Sequence, residues 1–378
     1  MTRRELLALL GTAAGSLGKD APAAPVALAR CATYEPDELL AVLSAMFDQL
    51  GGLGRIVGGK TVTIKLNLTG SPALRIQGRP PGVTHYSHPR MAAAVAHLMG
   101  KAGARRIRFV ESCWATAGPL EEYLLDSGWN VRQLASAASG IEFENTNARG
   151  KSTTYSRLKT PGTGLVYPAY DLNRAYEDTD VFVSMAKLKQ HGTCGVTLSL
   201  KNCFGITPAS IYGDDAGRDG PNESPAKGRL EILHEGKRQP PRSAPQELQP
   251  VSSRDPGYRV PRITVDLVAA RPIDLAIIDG IETVAGGEGP WIPGVRPVKP
   301  GVLVAGTNAV STDAVATAVM GFDPAVPRGA APFQGCDNTL LIAEAAGLGT
   351  ADLRRIEVRG VPIRDARFRF AQRVLEAS

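Results

Sequence analysis

The segment Lys187–Gly205, KLKQHGTCGVTLSLKNCFG, concentrates side chains able to do chemistry. Lys187 and Lys189 stand two apart at the end of an apolar run, a spacing that places both on one face of a strand. His191 follows, and its lysine neighbours favour the neutral imidazole, which serves as a general base or a metal ligand. Gly192, Thr193, Cys194 and Gly195 then lead into a helix expected over 196–204, whose free N–H groups and dipole suit an anion. On that helix Val196, Leu200, Cys203 and Phe204 share one side and read as packing; Lys201 and Asn202 fall on the other. Binding of a small anion, with His191 and Lys189 placed for proton transfer, is the chemistry this pattern offers. The plainer account makes Lys201 and Asn202 a solvated face and His191 a loop residue bonded to backbone.

Four carboxylates are available to complement the lysines: Glu111, Asp279, Glu288 and Asp313. Two or three of them with one histidine would hold a divalent cation. Each also has a simpler role, Asp279 in a turn with Gly280 and Asp313 at a helix dipole. Glu288 is set between Gly287 and Gly289, where backbone and ligand can approach closely. His85 and His88, in THYSHP, make a poor metal signature, and capping of the next helix by Ser87 is simpler.

The elements that must position these groups alternate. Helical spacing marks Glu35–Gly51, Pro89–Lys101, Leu120–Ser127 and Thr312–Met320. Strands are expected at Thr61–Leu66, Arg106–Val110, Trp129–Leu134, Val181–Lys187, Ile273–Ile278, Gly301–Ala305 and Ile356–Arg359. The pattern predicts an α/β fold, a mostly parallel sheet with helices on both faces. Ligands of such sheets bind at the carboxyl ends of the strands. That edge should collect Lys65, Asn67, Lys187, Thr193, Lys201 and Asn202 for an anion, His191 and Lys189 for proton transfer, and the four carboxylates for a metal.

Residues 30–378 read as a single α/β domain, or two lobes. Nine prolines fall between Ile206 and Pro261, so 206–261 reads as a long Pro/Gly-rich loop region, a candidate contact for a protein partner, with His234 able to fold back over the site. Residues 1–29 carry Arg3-Arg4, a short apolar run and an Ala/Pro-rich stretch, the order of a Tat export signal followed by a linker. The expected location is periplasmic or otherwise exported; an N-terminal helix retained on a cytoplasmic protein is the alternative. No membrane span is expected in the mature protein.

Net charge is +6, but the basic residues are scattered, which argues against nucleic acid and fits a small anionic ligand. The five cysteines include no C-x-x-C pair, so neither a zinc ribbon nor an iron–sulfur cluster is encoded. A P-loop, a dinucleotide fingerprint and a G-x-S-x-G elbow are likewise missing.

The run from Lys187-x-Lys189-x-His191 through Lys201-Asn202-x-Phe204-Gly205 resembles the signature of the domain-of-unknown-function 362 family. Ile64–Asn67, His88-Pro89, Asp279–Ile281, Gly287–Pro290, Gly301–Gly306 and Thr312–Val315 extend the resemblance over about residues 60–325. Membership implies no particular activity. Some members carry a ferredoxin-type iron–sulfur module, whose cysteine runs this sequence lacks. Three functions stay open: a metal-assisted hydrolase, lyase or isomerase acting on a small anion, a non-catalytic binding protein using the same groups, and a cofactor-assembly protein.

Overall fold

The computed structural model describes residues 21–370. The Tat-like pattern of residues 1–20 lies outside them. Residues 26–30, expected within a linker, instead form the first strand of the main sheet, β1 (Val26–Arg30). The other seven are β2 (Thr61–Lys65), β3 (Arg106–Glu111), β4 (Ile141–Asn145), β5 (Val181–Lys187), β6 (Leu275–Gly280), β7 (Val302–Gly306) and β8 (Val358–Gly360). They lie in the order β8-β1-β7-β6-β5-β2-β3-β4. From β4 to β6 every pairing is parallel; β7 opposes both β6 and β1, and β8 runs parallel to β1.

Alternate residues of the central strands feed two separate cores. In β5 Phe182 faces one and Val183 and Met185 the other; in β6 Ile278 and Ile277 divide in the same way. This is why these strands read as continuous apolar runs. One face is covered by α1 (Pro36–Gln49), α2 (Pro89–Lys101), α3 (Leu120–Asp126) and α4 (Val131–Ala135), through residues such as Leu43, Phe47, Val95 and Leu124. The opposite face is covered by α5 (Leu198–Asn202), α6 (Pro256–Ala270) and α7 (Ala309–Val319), through Leu200, Ile263 and Val315. The fold is α/β with helices on both faces, as the alternation requires.

One expected strand is corrected. Trp129–Leu134 is not a strand: Asn130 accepts from the Gln133 N–H and caps α4, and the sheet strand comes later, at Ile141–Asn145. Residues 206–261, read as a long loop region, are anchored to the core. They are largely irregular, but Ile232 and Leu233 enter the core, the buried Arg259 and Glu247 pair at 2.5 Å, and α6 already begins at Pro256.

The chain order changes direction between two neighbours in the sheet. From β2 the chain steps outward to β3 and β4, and from β5 it steps the other way to β6 and β7. The connecting segments therefore diverge at the carboxyl ends of β2 and β5, opening a crevice there.

Candidate functional site

A cavity of about 600 Å³ occupies that crevice. Lys65 and Asn67 come from the end of β2, Glu111 and Ser112 from β3, Lys189, His191 and Thr193 from beyond β5, and Glu288 from the loop after β6. Lys201 and Asn202 reach it from α5, and Arg229 and His234 from the proline-rich segment. His234 folds back over the site as its position in that segment allowed. Arg229 has no signal in the sequence; only the fold of its segment brings it here.

The cations differ in how they are held. Lys65 Nζ lies 2.5 Å from Glu111 Oε1, and Glu111 also accepts the Leu68 N–H at 2.8 Å. Lys189 is fully buried; its Nζ donates to the His85 carbonyl at 2.7 Å. Burial, with Lys187 and Lys201 nearby, pulls the Lys189 pKa down to about 7, although Glu288 opposes the shift. Lys201, its Nζ 4.2 Å above the Phe204 ring, is lowered to about 8, chiefly by burial. Arg229 donates to the carbonyls of Thr207 and Ser112 at 2.8 and 3.1 Å, and burial lowers its pKa too. Burial takes His234 to about 4, so this ring is neutral near pH 7.

The wall also carries polar atoms with nothing to bond. Thr197 Oγ1 and Asn202 Oδ1 are buried without a hydrogen-bond partner, although the Asn202 amide donates to Ser184 at 3.1 Å. Leu198, between them, is held at φ +42°, a conformation costly for a branched side chain and concentrated at functional sites. Gly195 sits at φ +72°, and a Cβ there would lie 2.3 Å from the Phe333 ring.

Three expected site residues are not at the cavity. Lys187 is buried away from it, bonded to Asp279 at 2.8 Å, to Tyr34 Oη at 2.9 Å and to the Glu282 carbonyl at 2.7 Å. Its side chain and that of Lys189 do not share a wall: β5 ends at Lys187, and Lys189 Nζ reaches the His85 carbonyl instead. Asp279 is accordingly a structural partner. Asp313 accepts the N–H groups of Ser199 and Leu200 at 2.9 and 2.8 Å. It occupies the start of α5, the place expected to attract a ligand, and burial raises its pKa to about 7. It also misses the edge because β7 is antiparallel and the chain after it departs from the opposite side.

The expected set of four metal-binding carboxylates is thus dispersed. Glu111 and Glu288 line the cavity, but Glu288 accepts from the Gly192 N–H at 2.9 Å and from Trp291 Nε1 at 3.1 Å. No group of three or more His, Cys, Asp and Glu side chains is placed to hold a metal ion among the described residues. Nor does Ser87 cap α2: His88 Nδ1 accepts the Arg90 N–H, and Ser87 Oγ binds the Asn67 N–H instead. The five cysteines are free and buried. No helix among the described residues is long and apolar enough to cross a membrane.

Two known proteins are similar to this chain. A thylakoid-associated protein of Synechocystis sp. is 26% identical over 304 residues, covering 79% of this chain and 75% of its own. A crystal structure of a Thermotoga maritima protein is 12% identical with a TM-score of 0.33; the match covers 70% of this chain and 55% of the other chain's length. The family described as "Domain of unknown function (DUF362)" matches residues 62–318, which include every residue lining the cavity. The chain belongs to the DUF362 family.

Proposed function

We propose that this protein binds a small anionic ligand in the cavity at the β2/β5 switch point. One observation carries the reading: four basic side chains, Lys65, Lys189, Lys201 and Arg229, line a single cavity against two carboxylates, Glu111 and Glu288. Keeping desolvated lysines together is costly, and an anion offsets that cost. The buried Thr197 hydroxyl supplies a further donor for its oxygens. The same positive excess works against a divalent cation, so the ligand is read as an anion without a metal.

Calorimetric titration with phosphate, sulfate and acetate tests this. At least one should bind, and Lys201→Ala should weaken it by about tenfold or more, within the range for a lost charge-assisted hydrogen bond. Absence of binding by all three, or equal binding in Lys201→Ala, overturns the proposal.

Turnover is favoured by the place of Lys189 in the cavity wall beside His191, where burial lowers its pKa to about 7. A buried amine with that pKa is matched to proton transfer at neutral pH. Lys189, protonated against the bound anion, would then return a proton to its carbon, with His191 beside it in the wall as the base. The supporting observation would be solvent deuterium exchange into a bound carbon acid, abolished in Lys189→Met; a lack of exchange across a panel of such acids would leave a binding protein.

The Arg3-Arg4 pattern supports export as the setting. An Arg3→Lys, Arg4→Lys variant should stay in the cytoplasm, and unchanged localisation would refute it.

A further inference from the structure

The charged floor of the cavity has an apolar mouth. Eight large apolar side chains are exposed among the described residues, and four of them, Leu74, Trp114, Leu230 and Trp291, line this cavity. Two of the chain's three tryptophans are in that group, at 45% and 44% exposure. Single exposed apolar residues are ordinary, but four converging from separate segments on one cavity are not scattered.

Trp291 is held in place rather than left loose. Its Nε1 donates to Glu288 at 3.1 Å. Its ring is seated against Gly70 and Gly289, where an added Cβ would come within 2.4 Å of ring carbons. Gly70 also has φ +78°, so both its conformation and its missing side chain serve this seat. Trp114 stands at the end of the β3 segment, beside Ala115 at φ +59°, and faces Gly228 next to Arg229.

A bare inorganic ion would leave most of about 600 Å³ to water, whereas that volume suits a drug-sized molecule. A protein partner fits poorly, because the cores of protein interfaces are depleted of charge and this floor is dense in it. Resting on the anion reading above, we propose that the ligand is an aromatic anion. Its carboxylate or phosphate head lies among Lys189, Lys201 and Arg229, and its planar body lies against Trp114 and Trp291.

The test compares probes on the intact protein by calorimetry and tryptophan fluorescence: phosphate, acetate, cyclohexanecarboxylate, 2-naphthoate, 2-naphthyl phosphate and neutral 2-naphthol. One of the two naphthyl anions should bind about tenfold or more tighter than acetate and cyclohexanecarboxylate, and quench fluorescence. Which one does so identifies the head group. Trp114→Ala and Trp291→Ala, each checked for an unchanged melting profile, should weaken that anion several-fold more than they weaken phosphate. If small anions bind but neither naphthyl anion is tighter, the aromatic body is wrong and the anion site stands. If 2-naphthol binds as tightly as the anions, or cyclohexanecarboxylate matches them, the proposal also fails. If no anion binds at all, the underlying reading falls with it.

Discussion

Lys187 Nζ lies 2.8 Å from Asp279 Oδ2, and the two residues are direct partners in the parallel register of β5 and β6. Both are buried, and Tyr34 Oη bonds to each. The pair satisfies two charges at the centre of the sheet and has no part in the cavity beside it.

Breaking one side of this pair leaves the other buried and alone. Lys187→Ala should therefore cost about 3–5 kcal/mol of stability. Anion affinity at the cavity should stay as in the parent at temperatures where the variant is folded. Urea denaturation and calorimetry measure the two separately, and a selective loss of affinity would place Lys187 in the site after all.

Anion binding should weaken as pH rises through about 7 to 8, because Lys189 and Lys201 lose their protons there. In the free protein both folded values lie below the unfolded one. The unfolded chain thus holds more protons between those values and about 10.5, and these lysines make stability rise with pH across that window. A bound anion favours the protonated amines and opposes this trend. Binding at pH 8 should take up protons, seen as a binding enthalpy that varies with the ionisation enthalpy of the buffer. An enthalpy independent of buffer would count against both lysines as anion contacts.

Glu111 neutralises Lys65 at 2.5 Å, so Glu111→Gln should leave a buried lysine without its counter-charge. The variant should melt lower than the parent in anion-free buffer, by about 3–5 kcal/mol of stability. Added phosphate should recover more of its melting temperature than it adds to the parent's. Equal gains in the two proteins would show that Lys65 does not face the bound anion.

Asp313 holds the first turn of α5, and thereby Lys201 and Asn202. In Asp313→Asn one oxygen becomes an amide that must meet an N–H donor. The expected loss is about 1–3 kcal/mol of stability, with weakened anion binding as α5 loosens. Undiminished binding would mean that α5 keeps its place without this carboxylate.

The edge of the sheet was legible because strand ends are where polar residues interrupt apolar runs. Lys65, Asn67, Glu111, Lys189 and Glu288 all follow such runs. What misled was direction. Asp313 follows an equally clear strand, but β7 is reversed, and nothing within the residues of a single strand records which way its neighbours run. Lys187 shows a second limit. Its spacing from Lys189 implies a shared face only while the strand continues, and β5 stops between them. β1 was hidden by prolines on its flank and by its brevity. Arg229 and the seat of Trp291 depend on contacts between segments far apart in sequence, which no periodicity encodes.

The proline-rich segment supplies Arg229 and His234 to a cavity whose other walls are strand ends and α5. Most of the recognition surface is therefore cast in the scaffold, and a smaller part is carried on a strap anchored by Ile232, Leu233 and the Arg259–Glu247 pair. Such a division lets ligand preference be rewritten beside the anchors, at Arg229, Leu230 and His234, while the sheet that orients the lysines is left untouched.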